Sequence, residues 1–499
     1  MRRLQGDTIA AISTALGPGA IAIVRLSGDE AIEIGDRVFR GRLSLGLCQS
    51  HTVHLGRIVD RGGRVVDEVL ATVLCSPHTY TTEHMLEFAC HGGAVPAREV
   101  LSACLAAGAR QAGPGEFTER AFMNGRIDLI QAEAVADLVS ARTRRGLELA
   151  LGQLEGALSS RVGELREALV DMRAAVEAAI DFPDEVDARE TRVEVARRSA
   201  MARLLAEELL SNCDLGVAVR DGVAVAIVGK PNVGKSSLMN AMLARERSIV
   251  TEAPGTTRDA IEECLNIDGV AFRLIDTAGW RTSDDIAERA GVRRAREAAS
   301  GADLCLLVVD VSRAIQDEDR AVASALPAER VLIVGNKSDL GQVVTRRELA
   351  SLVAGPGRQD LGPGRLGVAL PRRDPSMSDS EGNASGPTLC ESADGRRDRT
   401  SVVSAKRGNG LVDLKASMVR AALGDSTSAG AEVSNVRHIH GLRSVLSSLD
   451  RLDAAAGSAP LEILGTELAE ATDALGELSG ETTPEQVIER IFARFCIGK

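Results

Sequence analysis

A chain of 499 residues is too long for one core, and by ordinary domain size it predicts roughly two to four domains. At 44% hydrophobic and 26% charged it is neither fibrous nor unfolded, and a net charge of −12 excludes a general nucleic-acid binder, so any RNA must meet a local basic patch. Met1-Arg2-Arg3 leads into Asp7, Gly17, Pro18 and Gly19 rather than an apolar run, and the nine cysteines form no C-x-x-C pair; these predict no signal peptide, no membrane association, no structural zinc and a cytoplasmic protein with reduced thiols.

Over residues 1–123 short apolar runs, at 21–24 and 69–74, alternate with Gly and Pro punctuation and helical stretches, which predicts an α+β domain. From Leu154 the apolar residues Leu154, Leu158, Val162, Leu165, Leu169, Met172, Val176 and Ile180 are three or four apart and share one helical face, with a stop at Phe182-Pro183. Such a stripe is ordinarily the core of a bundle, here a first helical part over 124–217. Between 218 and 423 the pattern changes to apolar strands at 223–228, 272–275, 304–309, 331–334 and 402–403, separated by helical stretches, the mark of an α/β domain with a mainly parallel sheet. Leu461, Leu464, Leu468, Leu475 and Leu478 then return to helical spacing over 424–499. The chain reads as multidomain, with an α/β domain inserted into an all-α one. Residues 341–400, with Gly355-Pro356-Gly357, Gly362-Pro363-Gly364 and a polar run from Ser376, have few groups able to build a core, which predicts an insertion disordered over most of its length.

The chemistry sits at the strand ends of that inserted domain. Gly229-Lys230-Pro231-Asn232-Val233-Gly234-Lys235-Ser236 fits G-x-x-x-x-G-K-[ST] directly after a strand. In such a loop glycines let backbone N–H groups turn onto phosphates, the Lys235 ammonium reaches the β and γ phosphates, and the Ser236 hydroxyl ligates magnesium, with Asn232, Val233, Gly234 and Ser237 completing the contacts. Asp276-Thr277-Ala278-Gly279 closes the next strand, where an aspartate can hold magnesium through water and the glycine N–H can meet the γ phosphate. Asn336-Lys337-Ser338-Asp339 closes another, and the Asp339 carboxylate can accept from the N1–H and amino group of guanine. Adenine offers no such pair of donors. Ser404-Ala405-Lys406 completes the base pocket. Four motifs in this order and on these strand ends predict GTP binding in the presence of Mg2+. Trp280 stands where a water-orienting glutamine is often found, so the attacking water needs another group, and the loop Thr251-Glu252-Ala253-Pro254-Gly255-Thr256-Thr257 offers the Thr257 hydroxyl to magnesium.

Gly255-Thr256-Thr257-Arg258-Asp259, Asp276-Thr277-Ala278-Gly279-Trp280-Arg281 and Phe495-Cys496-Ile497-Gly498-Lys499 resemble the MnmE (TrmE) family of tRNA-modification GTPases. So do Asp7-Thr8-Ile9-Ala10-Ala11, Val24-Arg25-Leu26-Ser27-Gly28, Gly113-Pro114-Gly115-Glu116-Phe117-Thr118 and Asp181-Phe182-Pro183-Asp184-Glu185. Era- and Der-like ribosome-assembly GTPases, the alternative, share the G motifs but neither the N-terminal residues nor the C-I-G-K run. The resemblance implies an N-terminal domain that dimerises and binds a tetrahydrofolate, 5-formyl- or 5,10-methylene-, through Arg25, Glu87, Arg126 and Lys499. It implies a flavoprotein partner, MnmG (GidA), that carries FAD, and joint action on the wobble uridine of tRNA. It further implies a K+ site at Asn232, Thr251, Ala253 and Thr256, a water-positioning Glu288, and Cys496 as a candidate nucleophile.

Overall fold

The computed structural model describes residues 6–243, 263–275, 296–297, 299–353, 399–423 and 433–499. Its first unit is a seven-stranded sheet in the order β3-β4-β5-β6-β2-β1-β7. The strands are β1 (Ile9–Ile12), β2 (Ile21–Ser27), β3 (Phe39–Gly41), β4 (Thr52–Val59), β5 (Val65–Leu74), β6 (Met85–His91) and β7 (Arg110–Gln111). Period-two alternation assigns each face. Ala22, Val24 and Leu26 of β2, with Leu86, Phe88 and Cys90 of β6, join the core under α1 (Ala31–Val38) and α2 (Ala94–Ala106). The intervening residues Arg25 and Glu87 therefore stand on the other face, directly opposite each other in register. A further helix, α3 (Glu116–Met123), buries Phe117 against Ile9, Ala11 and Met85 on that side.

The helical unit takes residues from both flanks of the inserted domain. Its helices are α4 (Leu129–Ser140), α5 (Arg144–Leu154), α6 (Ala157–Asp181), α7 (Ala188–Leu210) and α8 (Cys213–Asp221). Leu158, Val162, Leu165, Leu169, Met172 and Val176 of α6 form one buried cluster with Val445, Leu449, Leu464, Leu468 and Leu475 from far downstream. Leu154 departs from the predicted stripe. Gly156, at φ 94°, ends α5 and redirects the chain, and Leu154 packs instead beside α4. Helix α8 runs through residue 217, where the sequence reading divides two domains. Its Cys213 and Val217 face the helical core, while Leu215, Ala218 and Val219 face the sheet beyond.

That sheet has the order β13-β12-β11-β8-β10-β9, parallel throughout except for the edge strand β9. Its strands are β8 (Val223–Val228), β9 (Glu263–Ile267), β10 (Val270–Ile275), β11 (Leu304–Asp310), β12 (Val331–Asn336) and β13 (Thr400–Val402). Every residue of β8 is buried because helices cover both faces. One layer is α9 (Lys235–Leu243) and a later helix, α12 (Leu411–Leu423); the other is α10 (Asp317–Ser324) and α11 (Arg346–Ser351). Helix α11 corrects the sequence reading of 341–400. Thr345 and Glu348 form a capping box, and Val344, Leu349 and Leu352 are buried against the sheet, so residues 341–353 are part of the fold. Residues 354–398 lie outside those described. The chain ends in α13 (Val436–Ala455), α14 (Leu461–Ser479) and α15 (Glu485–Phe492). Among the described residues no helix is long and apolar enough to cross a membrane.

Candidate functional site

Strand β8 delivers the chain into a turn that side chains would obstruct. Gly229 has φ 147° and Gly234 φ 95°, and a Cβ on Gly234 would run into Asn336 Nδ2. Asn232 between them also has left-handed backbone, at φ 66°. These left-handed positions make a tight turn ahead of the first turn of α9, the setting in which loop N–H groups can meet a phosphate. Lys235 Nζ donates to Gly229 O at 3.0 Å and Lys230 O at 2.7 Å, which holds the ammonium along the loop. Ser236 and Ser237 are exposed on the first turn of α9, and Val233 is buried beneath it.

The motif after β12 is stapled to this loop. Asn336, 2% exposed, donates from Nδ2 to Val233 O at 2.9 Å and accepts the Ala405 N–H at Oδ1 at 3.0 Å. One buried amide therefore sets the distance between the phosphate loop and the Ser404-Ala405-Lys406 loop. Ser404 Oγ donates to Asp339 Oδ1 at 2.6 Å. That bond, with the charges of Arg407 and Lys406 adding to it, holds the Asp339 carboxyl below the usual carboxylate value. Lys337, at φ 67°, donates from Nζ to Asp310 Oδ2 at 2.8 Å.

Two residues here were not singled out from sequence. Asp310 ends β11 at the carboxyl edge of the sheet, and its position at a strand end was the available signal. Burial pushes its carboxyl up, but the hydrogen bonds from Lys337 and Ser312 more than offset this. Lys230, inside the phosphate loop, pairs with Asp319 at 2.8 Å and ties the loop to α10. Nothing in the local pattern signals that contact. Thr251, Glu252, Ala253, Pro254, Gly255, Thr256 and Thr257, then Asp276, Thr277, Ala278, Gly279 and Trp280, and Glu288, lie outside the described residues.

A second constellation gathers on the open face of the N-terminal sheet. Arg25 Nε donates to Glu87 Oε1 at 2.8 Å across the β2–β6 register. The Arg25 guanidinium lies 5.7 Å from the ring centres of both Tyr80 and Phe117, and that of Arg126 lies 4.8 Å from Tyr80. Arg126 also donates to Tyr80 O at 3.0 Å, and Tyr80 Oη meets Thr118 Oγ1 at 2.9 Å. The other end of the chain arrives here: Phe117 N–H donates to Lys499 O at 3.2 Å, and Gly115 N–H to Cys496 O at 3.3 Å. Gly498, at φ 93°, packs so closely on Ile12 O that a Cβ has no room. Arg25, Glu87, Arg126 and the Lys499 backbone are thus brought together around Tyr80 and Phe117, while the Cys496 side chain is exposed. Beside them Tyr80, Asn124, Arg126, His51 and His78 line an open cleft of about 580 Å³.

Comparison with known proteins covers nearly the whole length of the chain. The family model described as "GTP-binding protein TrmE N-terminus" matches residues 8–126, and the one described as "MnmE helical domain" matches residues 129–496. The chain is 42% identical to the tRNA modification GTPase MnmE of Geobacillus thermodenitrificans, over 99% of both chains. It is 40% identical to that of Alkaliphilus oremlandii, again over 99% of both, and 39% identical to that of Bacillus cereus, over 99% of this chain and 100% of the other. Identity of this degree across the N-terminal sheet, both helical flanks and the inserted G domain can only come with common descent, and the chain belongs to the MnmE family of tRNA modification GTPases.

Proposed function

We propose that this GTPase acts in the cytoplasm on tRNA, where it works with an MnmG-like flavoprotein carrying FAD to build a carboxymethylaminomethyl- or aminomethyl-type group on carbon five of the wobble uridine. A tetrahydrofolate supplies the one-carbon unit. The observation that carries this reading is the convergence of Arg25, Glu87, Arg126 and the Lys499 backbone on two aromatic rings beside a cleft of about 580 Å³, within the range of small-molecule sites. Glu87 is suited to the adjacent ring NH and amino donors of a pteridine, with Arg25 fixing its carboxylate, and Arg126 to an anionic group. Exposed Val53, Leu55 and Leu70 on the outer face of β4 and β5, with Leu55 paired to Leu70, support a homodimer through this domain.

In the G domain, Ser236 and Thr257 are proposed magnesium ligands, and the ion supplies positive charge to the β and γ phosphates. Ser236 fits that role, since it is exposed beside Lys235 on the first turn of α9. Asn232 and the 251–256 loop, through Thr251, Ala253 and Thr256, would hold potassium, whose charge takes the place an arginine finger has elsewhere. Glu288 orients the attacking water. Replacing potassium by sodium is expected to slow turnover, and Glu288→Ala to lower kcat about tenfold or more with GTP affinity unchanged, because an orienting carboxylate acts mainly in the transition state. Equal rates in the two salts with a fully active Glu288→Ala variant would remove this mechanism. The whole reading is tested by nucleoside analysis of tRNA from cells that lack the protein. Loss of the modified wobble uridine is expected, and an unchanged profile overturns it.

A further inference from the structure

Helix α4 touches both connections of the inserted G domain and also the packing under residues 495–499. Its polar side carries Glu133 and Asp137, one turn apart. Glu133 accepts from Arg437 Nε at 3.0 Å and Nη2 at 2.7 Å, and lies 2.7 Å from His438 Nε2. Asp137 accepts from Arg220 Nε at 2.7 Å. Arg220 sits at the end of α8, from which the chain enters β8; Arg437 and His438 open α13, just after it returns. From the neighbouring helix α5, Gln153 adds a bond to Ser434 at 3.2 Å. Both covalent connections are therefore pinned to one helix of 12 residues.

The adjoining stripe of that helix leads elsewhere. Leu129, Ala132 and Val135 cluster with Ile488, Phe492 and Phe495, and the chain then continues into the segment whose Cys496 and Lys499 carbonyls accept from Gly115 and Phe117. A further contact reaches the corner between α4 and α5. The β9–β10 hairpin lies between the 251–257 loop and Asp276. Its turn residue Gly269 packs against Arg145, where a Cβ would sit 2.8 Å from the Arg145 Cβ, and Arg142 Nη1 donates to Cys264 Sγ at 3.3 Å.

We propose that α4 couples occupancy of the nucleotide site to the seating of residues 495–499 on the N-terminal domain, with Glu133 as the positioning residue. This needs nucleotide binding alone and is independent of the folate and tRNA roles. A buried ion pair is costly to break one partner at a time, so the groups around Glu133 move as a unit and a shift at either connection passes into α4. The neutral alternative is a static clamp that fixes the G domain and transmits nothing.

The two are separated by the rate at which iodoacetamide alkylates exposed Cys496, followed by mass spectrometry of its peptide in the full chain without nucleotide and with a non-hydrolysable GTP analogue. The proposal expects the two rates to differ about fivefold or more, the lower end of ordinary coupling between sites. Glu133→Gln should bring the ratio close to one while leaving analogue affinity within about twofold. Leu169→Ala, a core change in α6 that leaves the Glu133 and Phe492 contacts of α4 in place, should keep the ratio. Should Glu133→Gln not fold, Ile488→Ala thins the other contact of α4 and is expected to abolish the ratio in the same way. Equal rates in the native chain, a ratio preserved in a folded Glu133→Gln or Ile488→Ala variant, or a ratio lost equally in Leu169→Ala, each overturn the coupling.

Discussion

The nucleotide site and the Arg25 cluster are each built on a sheet, one at its carboxyl edge and the other on its open face, and they are assembled in different ways. Around the nucleotide, each contributing motif is a contiguous run after one strand of a single parallel sheet, and buried Asn336 links two of them through its own amide. Around Tyr80, a cross-strand pair, two loops and the far end of the chain meet, and the ion pair at the centre is about one-fifth exposed on each side. The first arrangement is set by local geometry. The second depends on the helical unit carrying residues 495–499 back to the N-terminal sheet. Sites of the first kind should fail by losing ligand specificity, and sites of the second kind by losing their assembly or their ligand with little loss of fold.

The largest effect is expected where the two regions are joined. Glu133→Ala leaves Arg437 without its buried partner, and removing one member of such a pair costs roughly 3–5 kcal/mol. Denaturant unfolding of the variant should show this as a lower midpoint at unchanged slope. A change under about 1 kcal/mol would mean that the pair is solvated and that the two regions are joined elsewhere.

Next comes specificity. Asp339→Asn keeps the shape of the base pocket and the bond from Ser404, but it replaces an acceptor with a donor where guanine presents donors. GTP affinity should fall about 100-fold, ~3 kcal/mol, and xanthosine triphosphate should become the better ligand. Competition binding of the two nucleotides checks this, and unaltered preference for GTP would dissociate Asp339 from the pocket.

These contrasts also explain what could be read from the chain alone. The phosphate loop and the 336–339 and 404–406 runs were legible because their chemistry is written in consecutive residues, and the strands that carry them are unbroken apolar runs. The Leu158 to Val176 stripe was legible for the same reason, since one helical period repeats over its length. Edge strand β9 was not seen, because Glu263-Cys264-Leu265-Asn266-Ile267 is short and carries a weak alternation. Helix α11 was hidden inside a polar stretch, where one capping box and Leu349 outweigh a composition that otherwise reads as coil. The Arg25 cluster was reached only through family resemblance. Glu87 looks like any strand glutamate until register sets it against Arg25. Tyr80 and the group around Glu133 carried no local signal, because their partners come from distant elements.

A smaller effect follows from pH. Burial lowers His438 below its ordinary value of 6.5, and Arg437 and Arg220 push the same way, against the hydrogen bond to Glu133. The neutral imidazole then donates from Nε2 to Glu133, and Nδ1, buried with no partner among the described residues, remains an unprotonated acceptor. Below pH 6.5 the unfolded chain takes up a proton at this position that the folded chain refuses, so stability falls as pH falls. Glu133 acts in the same direction at lower pH. Burial raises its carboxyl, but His438 and Arg437 bring it down to about 2 from an ordinary 4.5, so its contribution is full above 4.5 and is lost as pH drops toward 2. The loss of stability that sets in as pH falls below about 6.5 is the part attributable to His438, and His438→Gln should flatten it. An unchanged slope in that variant would assign the acid sensitivity to other groups.

The smallest effect on the fold, and the most direct test of the contrast between the two sites, is expected from Arg25→Met. Methionine keeps an unbranched apolar side chain but removes the guanidinium from Glu87 and from the Tyr80 and Phe117 rings. Both partners of that pair are partly solvated, with side chains 22% and 23% exposed, so the lost interaction should cost under about 1 kcal/mol and move the melting temperature little. Binding of a tetrahydrofolate should respond far more, about tenfold or greater, since the guanidinium both orients the Glu87 carboxylate and supplies charge-assisted donors. Tyr80 is the only tyrosine in the chain and sits between Arg25 and Arg126, so its emission reports on this position directly when ligand is added. A variant that unfolds would show the pair to be structural. One that binds the folate with native affinity would separate Arg25 from the ligand and leave Glu87 and Arg126 to hold it.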